Sequence, residues 1–367
     1  MGNWGSSRPM LVDGGSCPHS GDVIARGRVR FVRLPVSTPF VLIAMLGLAA
    51  TPFAGACSSD ASSGATPVPD AGEDDAAFPP PIDPALFDCT SLAKPPLARR
   101  AASAPECLRD PKCAGRFVSA HRGAGGDLGR IAPEDTLAAY RAGIALGVDF
   151  VETDPRPTAD GVIVNVHDTS VDRTTDGTGD VASMTFDELR KLHVKSDRVA
   201  GDFSCERIPT LEELLTTCRG RAVVLVDANK SDRVEAMVDA IRKADALDWA
   251  VFDTDDLAKI DRALAIEPRL MIMPRVQEIA DVAPILTKYA SHPPVLVEIS
   301  SKVFPKGAAE LHAAGLRVFT DVFIADLGVR SGADRKAYLD FFASGADVLQ
   351  SDLPDEVLKA LGRPVPP

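Results

Sequence analysis

Glu152 and Asp154 stand two residues apart in the run DFVETD (149–154), so on an extended strand both carboxylates leave the same face. Two anions sharing a face repel each other unless a cation lies between them. With Asp227 arriving from a second apolar run, AVVLVD (222–227), the set becomes an all-oxygen cluster suited to a hard divalent ion such as Ca2+ or Mg2+. Taken alone, a Glu-x-Asp pair also fits a solvated or salt-bridged edge. His121 closes the run FVSAH (117–121) and His167 closes VIVNVH (162–167). From opposite sides of a bound substrate, one imidazole could deprotonate an attacking oxygen while the other protonates a leaving alkoxide. Arg122, beside His121, offers a planar fork to phosphate oxygens, although a rim ion pair would use the same side chain. Arginine, two histidines and an acid cluster point to phosphoryl chemistry rather than acyl transfer, and there is no G-x-S-x-G, P-loop or H-E-x-x-H pattern.

These groups meet only if the elements carrying them are arranged so that strand ends converge. From about Arg116, short β-branched runs alternate with amphipathic stretches. The pattern predicts strands at 117–121, 149–154, 162–167, 222–227, 250–254, 269–274, 294–300, 316–321 and 346–352. Helices are predicted at 133–146, 211–219, 233–246, 255–266, 276–289, 306–314 and 334–343. Repeated strand-then-helix makes this an α/β chain, a (β/α)8 TIM barrel over 115–367, in which active groups gather at the carboxyl ends of the strands. Nine strands are one too many for it. The gap from Asp154 to Val162 is too short for a parallel crossover, so 162–167 should turn back as a short hairpin excursion at the C-terminal mouth and carry His167 over the site.

The chain has 367 residues, 45% of them hydrophobic, which supplies one large core with appendages. A net charge of −12 and a pI near 5.0 exclude the basic excess that nucleic acid binding needs. Charge is uneven: residues 1–56 hold five Arg and no Lys against Asp13 and Asp22, and the remainder is strongly acidic. Arg26, Arg28, Arg30 and Arg33 precede an apolar stretch (39–55) and then small residues, the order of a bacterial signal peptide. Ala54-Gly55-Ala56-Cys57 resembles a lipobox, with Cys57 as the lipidated residue, although an ordinary cleaved signal beside an incidental cysteine is the other reading. The expected organisation is a leader at 1–56, a disordered lipoprotein tether at 57–84, a Cys-containing extension at 85–114 and the barrel, with the protein exported and membrane-anchored on the periplasmic or cell-surface side. Cys89, Cys107, Cys113, Cys205 and Cys218 remain beyond the anchor. Cys107 with Cys113 and Cys205 with Cys218 are the locally plausible bridges, and the connectivity stays open.

The segment from His121 to Gly179 resembles the opening signature of glycerophosphodiester phosphodiesterases. It carries His121-Arg122-Gly123, Pro133-Glu134-x-Thr136, Glu152-x-Asp154, His167-Asp168, and Asp172-Arg173-Thr174-Thr175 before a Gly-rich turn. The likeness continues through Ile208 to Leu214 and ends near Ser351-Asp352-x-Pro354. It implies metal-dependent hydrolysis of glycerophosphodiesters to glycerol 3-phosphate and an alcohol on a (β/α) barrel. By position, His121 and His167 become the acid–base pair and Arg122 the phosphate ligand. Glu152, Asp154 and Asp227 become the ligands of a Ca2+ or Mg2+ ion, and Asn229, Lys230 and Phe319 lie in the substrate pocket. Glu134 becomes an accessory polar residue. The strand-four pattern, usually Glu-x-Lys, reads Asp227-Ala228-Asn229-Lys230 here, and the usual Trp-Thr-x-Asn reads Phe319-Thr320-Asp321-Val322. Two other functions compete. One is phospholipase D-like cleavage of lysophospholipids or sphingolipids to a cyclic phosphate, and the other is a non-catalytic binding lipoprotein. The partners expected are a small phosphodiester or lysophospholipid and, through the anchor, a membrane.

Overall fold

A computed structural model describes residues 81–94, 97, 104–110, 112–128, 131–300 and 302–363. The leader, Cys57 and most of the expected tether lie outside the described residues. Among the described residues the strands are β1 (Phe117–Ala120), β2 (Phe150–Thr153), β3 (Pro155–Pro157), β4 (Ile163–Asn165), β5 (Val223–Asp227), β6 (Ala250–Thr254), β7 (Met271–Val276), β8 (Val297–Ile299), β9 (Val318–Asp321) and β10 (Val348–Ser351). The helices are α1 (Ala104–Arg109), α2 (Leu137–Leu146), α3 (Phe186–Leu189), α4 (Leu211–Cys218), α5 (Val234–Lys243), α6 (Leu257–Ile266), α7 (Val282–Lys288), α8 (Lys306–Ala313), α9 (Phe323–Arg330), α10 (Lys336–Ala343) and α11 (Pro354–Ala360).

Eight strands close a parallel barrel in the order β1-β10-β9-β8-β7-β6-β5-β2, and β3 with β4 form a separate antiparallel pair. The expected (β/α)8 architecture and its hairpin excursion are both present. Closure is made by β1, whose Phe117 lies opposite Val348 of β10 and whose Ser119 lies opposite Phe150 of β2. Sequence reading missed one step, because two helices, α9 and α10, separate β9 from β10 where only 334–343 was expected. Among the described residues, no helix is long and apolar enough to cross a membrane.

Strand alternation sorts the side chains. Val224 and Val226 of β5 join the main core between strands and helices, whereas Val223 and Leu225 point into the barrel. The lower interior is apolar, filled by Phe117, Phe150, Val223, Leu225, Val251, Met271, Met273, Leu296, Phe319 and Val348. Two residues further along the same strands, the interior turns polar. Phe150 is followed by Glu152, Leu225 by Asp227, Val251 by Asp253 and Met273 by Arg275. Burying the apolar layer fixes the register of each strand, and the register then places every polar residue at the mouth.

Local signals start and stop the helices. Thr210 and Glu213 form a capping box on α4, Thr136 caps α2, and Gly147 ends α2 with φ +84, a conformation costly for other residues. On α5 the buried Val234, Met237, Val238 and Ile241 repeat at helical spacing.

The chain before the barrel serves as packing. The barrel floor is sealed by α1 with Cys107 and Leu108, and the Arg317 guanidinium donates to the carbonyls of Cys107, Leu108, Asp110 and Cys113. Cys107 bridges to Cys113 as expected, but Cys205 pairs with Cys89 rather than Cys218. Cys218 is a helical core residue, free and fully buried. Ile82 and Phe87 are also buried in the main core, so the packed chain begins before the expected boundary at 85.

Candidate active site

Every strand that contributes an acid or base does so at its carboxyl end. Glu152, Asp154 and Asp227 place one carboxylate oxygen each within 4.8 Å of one another, and all three side chains are buried. Burial, reinforced by Asp154, Asp135 and Asp227, pushes Glu152 well above the usual carboxylate range. Asp154 is also raised, by burial first, against the opposing pull of His167. Its Oδ2 is a buried oxygen with no hydrogen-bond partner. Three crowded carboxylates with an unsatisfied lone pair suit a hard divalent cation, so the donor set fits the ion the sequence implies.

Two histidines flank this cluster. His121 places Nδ1 2.7 Å from Asp352 Oδ1 and Nε2 3.9 Å from Glu152 Oε2, and its ring lies against Phe323 with centroids 4.6 Å apart. His167 places Nδ1 2.9 Å from Asp168 Oδ1 and Nε2 3.3 Å from Lys230 Nζ. A carboxylate only accepts, so each Nδ1 donates to its aspartate, which leaves the Nε2 of each ring as the atom available to a substrate. The arm that delivers His167 is fastened by Arg156 of β3, which donates to the His167 carbonyl from Nη2 at 2.6 Å. It has a small core of its own, made by Val164, Val166, Val171, Val181, Leu189 and Ile208.

Arg122 sits beneath the cluster with φ +50, a left-handed conformation uncommon outside glycine. Its amide donates to Glu152 Oε2 at 3.1 Å, and its Nη1 reaches Asp127 at 2.7 Å and Glu134 at 3.2 Å. Burial alone would lower its pKa, but Glu134, Asp135, Asp154 and Asp127 outweigh that and hold it higher than usual. The Arg122 Nε has no hydrogen-bond partner and lies 3.5 Å from Asp154 Oδ2, so a donor and an acceptor both face the cluster unsatisfied. The glycines of this loop answer to contact. A Cβ on Gly126 would lie 1.9 Å from Asp352 Oδ1, the oxygen that holds His121.

A model of the glycerophosphoryl diester phosphodiesterase family matches residues 121–323. The chain belongs to that family. Glycerophosphodiester phosphodiesterase 1 of Bos taurus is 42% identical over 125 residues, 34% of this chain and 36% of the relative, so the match spans about a third of the length of this curated relative. A glycerophosphoryl diester phosphodiesterase from Parabacteroides distasonis superposes with a TM-score of 0.61 at 24% identity, covering 74% of this chain and 95% of the other. A phosphodiesterase of Oleispira antarctica, solved with its product sn-glycerol-3-phosphate, superposes with a TM-score of 0.56 at 23% identity, covering 68% and 97%. At these identities the two structures show the fold.

In this phosphodiesterase-family barrel the structure brings together His121, Arg122, Glu152, Asp154, His167, Asp227 and Lys230. Phe319, expected in the substrate pocket, is instead fully buried in the apolar lower interior with Phe117 and Phe150, one layer below the mouth. Asn229 is at the rim, where its Oδ1 accepts from Thr254 Oγ1 and the Asp255 amide.

The site also holds residues to which the sequence assigns no role. Arg173 forks between Glu134, at 2.6 and 2.7 Å, and Asp168, at 2.7 and 3.1 Å, tying the Arg122 side of the site to the His167 side. Hydrogen bonds from Arg173 and His167 hold Asp168 far below the usual carboxylate range. Asp352 lies in a motif that was noted without a role. Arg275 is a half-buried cation at the far wall, bonded to Asp253 and lying 3.1 Å from Glu298 and 3.3 Å from Asp227. Burial pushes Asp253 up to about 6 even with Arg275 beside it. The signal for Arg275 was its position two residues after Met273 on an inward-facing strand.

Proposed function

We propose that the barrel is a divalent-cation-dependent phosphodiesterase that hydrolyses glycerophosphodiesters to glycerol 3-phosphate and an alcohol. The observation that carries this reading is the convergence of the Glu152, Asp154 and Asp227 oxygens beside two imidazoles, His121 with Nε2 3.9 Å from Glu152 and His167 with Nε2 3.3 Å from the Lys230 ammonium that pairs with Asp154. A Ca2+ or Mg2+ ion held by the three acids would polarise the phosphoryl oxygens and screen charge at phosphorus. Arg122 Nε and the Lys230 ammonium orient the phosphodiester from either side of Asp154. One imidazole accepts a proton from the attacking water as the new P–O bond forms. The other, carrying a proton on Nε2 as well as on Nδ1, gives the Nε2 proton to the alkoxide as the old bond breaks. Asp352 and Asp168 hold the two Nδ1 protons and so aim both Nε2 atoms at the substrate. Family membership and the glycerol 3-phosphate bound by the Oleispira antarctica neighbour support the substrate class.

A lysophospholipid is the second reading. It is favoured by Ile324 and Leu327, 82% and 50% exposed on α9, the helix whose first residue, Phe323, lies against His121. Export and anchoring through Cys57 complete the proposal, and the Cys89–Cys205 and Cys107–Cys113 bridges support an oxidising compartment. The test is to incubate the purified protein with glycerophosphocholine, glycerophosphoethanolamine and a lysophospholipid, with Ca2+, Mg2+ or chelator, and read products by phosphorus NMR. Metal-dependent glycerol 3-phosphate supports the main reading. Turnover of the lysophospholipid alone moves the substrate to the second, and no turnover anywhere defeats both.

A further inference from the structure

Asp227 and Lys230 are three residues apart, where the family pattern places acid and lysine two apart. On a continuing strand that extra residue would send Lys230 to the opposite face of the barrel wall. The chain instead leaves β5 through a 3-10 turn, Ala228–Lys230, which coils the surplus residue and returns the ammonium to the mouth. There its Nζ lies 3.3 Å from His167 Nε2 and 3.8 Å from Asp154 Oδ1.

Such a short turn needs outside support, and two side chains provide it. Lys259 of α6 is 8% exposed, and its ammonium donates to the carbonyls of Ala228 at 2.9 Å and Ser231 at 3.1 Å, gripping the turn at both ends. Asn229 accepts from Thr254 Oγ1 at 2.6 Å and the Asp255 amide at 3.1 Å, pinning the middle of the turn to the end of β6. Asp227 itself accepts from the Asn229 amide at 2.8 Å, so the turn also fixes one of the clustered acids. A buried ammonium spent on two carbonyls and one exposed carboxylate, Asp232, has no chemical task of its own.

We infer that Asn229 and Lys259 are positioning residues that aim Lys230 at the phosphate subsite, compensating for the extra residue between acid and lysine. Asn229 is then a brace for a substrate ligand. The inference rests on the proposed function only in naming phosphate as what Lys230 meets.

The test uses inorganic phosphate as probe, titrated calorimetrically into the Mg2+-loaded protein, together with nitrogen NMR of the His167 imidazole. Lys230→Met should weaken phosphate binding about ten-fold, the loss of one charge-assisted hydrogen bond. Asn229→Ala should weaken it nearly as much with the melting temperature unchanged, and the double variant should be no weaker than Lys230→Met. The His167 Nε2 resonance should move alike in both single variants, since Lys230→Met removes the ammonium beside it and Asn229→Ala lets that ammonium swing away. Lys259→Met should act in the same direction with some loss of stability, which is why Asn229 carries the test. If the two losses multiply, or if Asn229→Ala leaves the His167 resonance at its wild-type position, the brace is overturned. Should wild type bind no phosphate while both variants move the resonance, the brace stands and the phosphodiesterase reading falls.

Discussion

His121 Nδ1 lies 2.7 Å from Oδ1 of Asp352, a residue 231 positions away that only barrel closure brings alongside. Asp352 is in turn fixed by the Leu128 amide at its Oδ2 and, through its own amide, by Asp326 of α9. Removing it leaves the imidazole free to rotate and to adopt the other tautomer. Asp352→Ala should therefore lower kcat about a hundred-fold with KM nearly constant. Steady-state kinetics on the substrate found by phosphorus NMR would check this. A rise in KM at constant kcat would assign Asp352 to substrate binding instead.

Glu152 illustrates a conflict between stability and function. Burial and three neighbouring carboxylates disfavour its charge, so without a cation the cluster destabilises the fold. Glu152→Gln should raise the melting temperature of chelator-treated protein by roughly 3 °C, as removal of about 1 kcal/mol of repulsion would. The same variant should lose the extra stability that Ca2+ or Mg2+ confers on wild type. Thermal scans with and without the ions separate the two effects, and equal melting temperatures in chelator would show that the cluster carries no such strain.

The candidate cluster was legible because its members obey strand periodicity. Glu152 and Asp154 share a face, and His121, His167 and Asp227 end apolar runs that have nowhere to go but a barrel wall. The hairpin could be read because the seven residues between Asp154 and Val162 cannot make a parallel crossover. Depth was harder to judge. Phe319 occupies a family pocket position in the alignment of motifs, yet its side chain falls one layer too low, and Asp321 is the residue of that strand at the mouth. The Cys89–Cys205 bridge was hidden for another reason. It joins residues 116 apart, and proximity in sequence favours the wrong partner when a helix such as α4 turns Cys218 into the core. Arg173 stands in a motif visible in the sequence, but its role is not legible there because its two carboxylate partners come from different elements, one before α2 and one after β4.

Asp326 gives a pH dependence whose sign can be worked out. It is fully buried, accepts from Ser351 Oγ at 2.7 Å, Tyr338 OH at 2.8 Å and the Asp352 amide at 2.8 Å, and is pushed up to about 6 by burial. A carboxyl raised in the folded state binds its proton more tightly there than in the unfolded chain. Its stabilising contribution is complete below the ordinary value of 3.8 and is lost as pH rises through about 6. Denaturant titrations of wild type and Asp326→Asn should therefore diverge with pH. The wild type should lose up to about 3 kcal/mol relative to the variant between pH 4 and pH 7. A pH-independent difference would mean that the hydrogen bonds, which both forms keep in part, dominate over the charge.

The two bridges should differ in what they contribute. Cys89–Cys205 closes a loop of 116 residues and Cys107–Cys113 a loop of 6. On chain entropy alone, the long loop is worth about 5 kcal/mol and the short one about 2. Replacing Cys89 and Cys205 by Ser should thus cost more in denaturant titrations than replacing Cys107 and Cys113. The short bridge has a second function that entropy does not count, because it shapes the floor whose carbonyls receive Arg317. If the Cys107–Cys113 pair proves the costlier to remove, the floor rather than the loop length governs. Cys218 provides the control for these titrations. Its thiol is buried and pushed up to about 12, so it should resist alkylation in native protein and react only after unfolding.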